Sequence, residues 1–189
     1  MAKAVLLGGN GYIGRATNEA WMKADPETEF YVISRSGRNK LTDKRIHNLR
    51  AYVSDYEEVK AVLPEDFDYI VDFVGAPEND PEKFKRINVM PAKVMKRLAE
   101  EYKAKKMGFI ADSLGPKSFV QGKADLVKFL QDSSVPLEYV SPTLVYGNGR
   151  KDDMNRWLPL LKFFGIFSKK LKPVEVNNVA DELVRKMLA

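Results

Sequence analysis

The residues best suited to chemistry begin with a spacing of glycines. The stretch "VLLGGNGYIGRATNEAW", residues 5–21, carries Gly8, Gly11 and Gly14 three apart, with Gly9 inside the turn. A helix N-terminus offers unpaired backbone N–H groups and a partial positive charge. An anion reaches those groups only where no side chain intervenes, which is what glycine provides. Alone the spacing would equally serve a tight turn. Its place between an apolar run and a helical pattern favours a phosphate cradle. The candidate phosphate-binding residues are Gly8, Gly9, Asn10, Gly11, Tyr12, Ile13 and Gly14, with the Tyr12 ring available to cover the phosphates.

A second cluster lies in "VISRSGRNK", which holds Ser34, Arg35, Ser36 and Arg38 and no acid. Dinucleotide folds read the adenosine ribose about 20 residues past the glycines, and an acid there suits a free 2′-hydroxyl. Arg35 stands 21 residues after Gly14. A guanidinium can pair with a 2′-phosphate through charge-assisted bonds, so NADP is expected over NAD. A solvated loop would accommodate the same arginines. Asp55 is placed either to meet an adenine amino group or to cap the helix that follows. Val74, Gly75 and Ala76 end an apolar stretch and are expected to line the cofactor cleft.

Other chemistries find no support. The chain has no cysteine and one histidine, His47, and no His, Asp and Glu cluster at ligand spacing, so no metal is expected. There is no Gly-x-Ser-x-Gly elbow for serine hydrolysis.

Alternating strand and helix patterns must position these groups. Strands are expected at 3–9, 29–36, 49–55, 68–76, 106–113 and 136–147, the last interrupted by Pro142. Helices are expected at 12–24, 55–63, 80–105 with a kink or a break near Pro91, 122–133, and 177–189 capped by Asn177 or Asn178. Strict alternation implies an α/β, doubly wound parallel sheet of Rossmann type. One domain over 1–189 is expected, with 150–175 as a reduced lid or substrate segment. Its apolar stretch "WLPLLKFFGIF" would serve as a lid, a helix on the sheet, or a partner contact.

The 189 residues are 44% hydrophobic, enough for a sizeable core. Net charge is +5, with basic residues spread among acidic ones, which argues against nucleic acid. No run approaches a membrane span and no signal peptide is read, so a cytoplasmic setting is expected.

Several segments together resemble the short-chain dehydrogenase/reductase superfamily, extended or atypical type. "GGNGYIG" is similar to its Gly-x-x-Gly-x-x-Gly signature, and "INVMPAKVMKRLAEE" resembles the Asn-Val-x-Gly-Thr helix of extended members. "GFIADSLG" resembles the fifth strand with its serine. "SPTLVYGNG" and "KPVEVNNVADELVRKML" resemble the later Arg-Pro-x-x-Val-Tyr-Gly-x-Gly and Pro-Val-x-Val-x-Asp-Val-Ala segments. The likeness extends to the NAD-dependent epimerase/dehydratase type and to the atypical branch named for an accessory subunit of respiratory complex I.

That resemblance implies a nicotinamide dinucleotide cofactor and a Ser, Tyr-x-x-x-Lys site. It places Ser113 at the substrate-orienting serine and Lys123 at the lysine that binds the nicotinamide ribose. Phe119 falls where the acid/base tyrosine belongs, and phenylalanine has no proton to exchange. Two functions follow: a small reductase or epimerase-like oxidoreductase on an unknown carbonyl or sugar-like substrate, or a non-catalytic redox sensor or assembly subunit. A small molecule or a protein partner, and an oligomer, are compatible with either.

Overall fold

The computed structural model describes residues 1–148 and 173–189. In chain order these form β1 Lys3–Leu7, α1 Tyr12–Ala24, β2 Glu29–Ser34, β3 Ile46–Arg50, α2 Tyr56–Val62 and β4 Tyr69–Asp72. There follow α3 Pro81–Phe84, a π-helical turn Lys85–Val89, α4 Met90–Tyr102, β5 Lys106–Ile110 and α5 Lys117–Gln131. The chain closes with β6 Leu137–Val140, β7 Val145–Tyr146, β8 Val174–Glu175 and α6 Val176–Leu188.

Six strands pair in parallel in the order β3-β2-β1-β4-β5-β6. The central strands are continuous apolar runs because both their faces are covered: Ala4, Val5, Leu6 and Leu7 of β1 are all buried. Val5, Leu7, Ile70 and Phe109 share one face with Val59 of α2, Met95 and Leu98 of α4, and Leu126 and Leu130 of α5. Leu6, Val32 and Val71 share the other with Trp21 of α1 and Leu183 and Met187 of α6. Trp21 is fully buried between Phe30 and Tyr69, with ring centroids 6.0 and 5.3 Å away. Strand order reverses between β1 and β4. There the crossovers from β1 and from β4 leave in opposite directions and open a crevice at the strands' carboxyl ends.

Four expected elements need correction. The third strand spans Ile46–Arg50 and not 49–55. It is a sheet edge with only Ile46 buried, so it carries little apolar signal of its own. The helix expected from 122 starts at Lys117 and takes in Phe119. The sixth strand stops at Val140. Pro142 has no N–H for a ladder, and the chain resumes as β7, which pairs with β8 in a separate two-stranded sheet. The last helix opens at Val176 with Glu175 at its cap and no side-chain bond, while Asn177 accepts from Asn148 at 3.0 Å.

Pro91 does not break the long helical stretch. The π turn precedes it, with Met90 N–H reaching back to Lys85 O. A widened turn absorbs the missing donor and the ring's bulk. The lid expected at 150–175 lies outside the described residues except for Pro173, Val174 and Glu175.

Candidate functional site

The glycine loop joins β1 to α1 at the point of strand reversal. Gly8 has φ +72° and donates to Ile33 O at 2.8 Å, which ties the loop to β2. A Cβ on Gly8 would lie 2.6 Å from Val74 Cγ2, and one on Gly9 2.7 Å from Leu6 Cβ. A Cβ on Gly14 would lie 2.6 Å from Gly9 Cα, so this glycine lets α1 close onto the loop. Gly11 precedes α1 and has no side chain to cap it, and the first bond back within the helix runs from Arg15 N–H to Gly11 O. The N–H groups of Ile13 and Gly14 therefore have no intrahelical acceptor. A cradle with no room for Cβ atoms, opening on bare helix donors, fits a pyrophosphate.

The loop after β2 is built against this cradle. Asn10 Nδ2 donates to Arg38 O at 2.9 Å, and Arg15 Nη1 donates to Asn10 O at 2.6 Å. Ser34 Oγ accepts from Gly37 N–H and Ser36 Oγ from Arg38 N–H, both at 3.2 Å. Arg35, Ser36 and Arg38 stand exposed on this turn. The structure thus brings together the two clusters that lie far apart in the chain. Asp55 caps α2: its carboxylate accepts from Glu58 N–H at 3.1 Å. Tyr12 donates its hydroxyl to Gly147 O at 2.8 Å, linking the cradle to the end of β7.

The other half of the crevice lies at the ends of β4 and β5. Val74 is half-buried and Gly75 and Ala76 are exposed, which puts them on the crevice surface. Behind them lies a set of buried polar side chains. Lys123 is only 2% exposed; its Nζ donates to Ile110 O at 3.2 Å and, at the longer 3.5 Å, to Val74 O. Nζ also lies 4.6 Å from the centroid of the Phe109 ring. Burial holds the Lys123 ammonium below its ordinary pKa, while Asp72 and Asp112 pull it back up. Asp72, wholly buried, has its carboxyl pushed up to about 7 by burial, against the Lys123 charge and the Val74 N–H bond. Its Oδ1 accepts from Val74 N–H at 2.8 Å, and its Oδ2 has no partner among the described residues. Asp112 is pushed up to about 6, again by burial against the pull of Lys123. Asn88, in the π turn, accepts from Ala76 N–H at 3.2 Å and donates to Ala76 O at 3.0 Å.

Ser113 sits at the end of β5 with Oγ 3.2 and 3.1 Å from the carbonyls of Ser141 and Pro142, to which it donates. Phe119 is one helical turn before Lys123 and 4% exposed, edge-on to Phe84. The position at which the resemblance expects a tyrosine thus carries a packed ring with no hydroxyl. The sequence reading missed Asp72, Asn88 and Asp112. A single aspartate inside the apolar run "YIVDFV" was the available sign of Asp72.

Strand order and glycine loop together define a doubly wound, Rossmann-type α/β fold. The profile of the NAD dependent epimerase/dehydratase family matches residues 4–156, and the chain belongs to that family. The match does not single out the complex I-type branch. No curated protein matches the sequence. Among solved structures, the Bordetella bronchiseptica enzyme WbmH in complex with NAD+ is similar, at 14% identity and a TM-score of 0.77, over 100% of this chain and 73% of that one. The KRED1-Pglu enzyme is similar at 15% identity and TM-score 0.76, over 100% and 95%. The Thermus thermophilus UDP-glucose 4-epimerase complex with NAD is similar at 16% and 0.72, over 99% and 75%. At these identities the likeness is one of fold.

No helix among the described residues is long and apolar enough to cross a membrane.

Proposed function

We propose that the chain binds a nicotinamide dinucleotide in a cytoplasmic setting, with NADP preferred over NAD. The observation that carries this reading is the joining of the glycine cradle to the Arg35–Arg38 turn through Asn10. The pyrophosphate would lie on Gly8–Gly14 and the helix start, and a 2′-phosphate would face Arg35 and Arg38. No acid stands on that turn to favour a free 2′-hydroxyl. The NAD named in the solved relatives supports the cofactor class and leaves the 2′-phosphate preference to this chain's own arginines.

When bound, such a cofactor supplies hydride transfer. This chain would supply orientation: Val74, Gly75 and Ala76 form the wall beside the nicotinamide half, and Ser113 has a hydroxyl at the crevice edge. On that basis it acts as a small reductase or epimerase-like oxidoreductase on a carbonyl or sugar-like substrate. A second reading, a dinucleotide-holding sensor or assembly subunit without turnover, is favoured by Phe119, whose buried ring stands where the resemblance expects the acid/base tyrosine.

Fluorescence titration tests the binding claim. NADPH should bind in the micromolar range and more tightly than NADH. Replacing Arg35 with Ala should weaken NADPH by about 10- to 100-fold, the worth of a charge-assisted hydrogen bond, and leave NADH nearly unchanged. Equal losses for both would remove the 2′-phosphate assignment. Turnover of NADPH with a panel of aldehydes, ketones and nucleotide sugars separates the enzyme from the sensor.

A further inference from the structure

We propose that Lys123 is a positioning residue: from behind Gly75 it braces the end of β4 against the end of β5 and sets the floor of the nicotinamide half of the crevice, without presenting its ammonium to a ligand. The lysine is 2% exposed, and its Nζ is held by carbonyls from two strand ends, Val74 O and Ile110 O. Gly75 faces the crevice on one side and Lys123 on the other. A Cβ there would lie 2.4 Å from Nζ and 2.9 Å from Asn88 Oδ1, so the missing side chain makes room for the brace.

The segment it supports is held on every polar backbone group of Val74 and Ala76. Asp72 accepts from Val74 N–H, Lys123 donates to Val74 O, and Asn88 takes both the N–H and the O of Ala76. Three buried side chains, from β4, the π turn and α5, converge on the two residues that flank Gly75 in an otherwise irregular loop. An irregular segment held this fully needs little further ordering when a ligand lies on it. Asp72 and Asp112 lie close enough to offset part of what burial costs the Lys123 ammonium, and the Phe109 ring offers it a favourable face. On this geometry Lys123 reaches the crevice only through the backbone that it holds.

The bracing itself is independent of any ligand; its effect on affinity rests on the dinucleotide reading. Amide hydrogen exchange on the full, ligand-free chain therefore comes first. The variants are Lys123→Met, which removes the donors, and Gly75→Ala, which displaces Nζ and keeps the charge. Both should speed exchange at Val74, Ala76 and Ala111 by about tenfold or more, with Leu6 and Ile33 unchanged. NADPH should bind more weakly to both variants, while adenosine 2′,5′-bisphosphate, which lacks the nicotinamide half, should bind as to the parent. Weaker NADPH binding with unchanged local exchange would make Lys123 a direct ligand and overturn the proposal. If Lys123→Met does not fold, unchanged exchange in Gly75→Ala is enough to overturn it. Accelerated exchange in a protein that binds no NADPH would leave the brace standing and remove the dinucleotide reading.

Discussion

Replacing Asp72 with Asn should flatten the pH dependence of stability. In the folded protein this carboxyl is pushed from 3.8 to about 7 by complete burial. An unfolded chain loses the same proton near the ordinary value. A raised acid pKa contributes stability that is whole below 3.8 and is lost as the pH rises through about 7. Between about pH 5 and about pH 8 the single group should cost the parent about 2–3 kcal/mol. Asn keeps an oxygen to accept from Val74 N–H and cannot ionise, so the variant escapes this loss. Relative to the parent, Asp72→Asn should be closest at about pH 5 and gain by about 2–3 kcal/mol toward about pH 8. Lys123 then keeps Asp112 as its remaining nearby carboxylate. The assay is urea unfolding at several pH values, followed by tryptophan fluorescence with far-UV circular dichroism as a second probe. Parallel stability curves for parent and variant would show that Asp72 is ionised throughout, and the burial reasoning would fail.

Further outcomes follow from the same structure. Gly14→Ala should destabilise the fold by about 1–3 kcal/mol, because its Cβ meets backbone and not a flexible side chain, and should cost dinucleotide affinity at least about tenfold. Unchanged unfolding midpoint and affinity would contradict the close approach of α1 to the loop. Asp55→Ala should lower stability by about 1 kcal/mol through loss of the α2 cap and leave NADPH affinity unaltered. A drop in affinity would restore the adenine contact. Asn10→Ala should weaken NADPH more than NADH, since it unties the Arg38 turn from the cradle; equal effects in a titration would argue that the tie does not position the arginines.

Much of the fold was legible because its signals are local. The central strands are apolar on both faces and stand out as runs such as "AVLL" and "YIVDFV". The edge strand was misplaced for the converse reason: in "IHNLR" only Ile46 is buried, so no run marks it. The helix carrying Phe119 was expected to start five residues late because Lys117 and Ser118 face solvent and no side chain caps its start. Glycine positions could be assigned because a residue without Cβ announces its own constraint.

By itself the sequence determined the parallel α/β order, the glycine loop at the first strand-to-helix junction, the basic turn after the second strand, and the absence of a hydroxyl at Phe119. Each depends on residue type and short spacing. Tertiary structure alone decided that Asn10 joins cradle to turn, that Asp55 is spent on a helix cap, and that Asp72, Asn88 and Lys123 meet under residues 74–76. Those side chains come from segments up to 51 residues apart, from Asp72 to Lys123. Their burial is a property of the packed layers, and burial is what turns an ordinary lysine into a brace and lifts the carboxyl of Asp72.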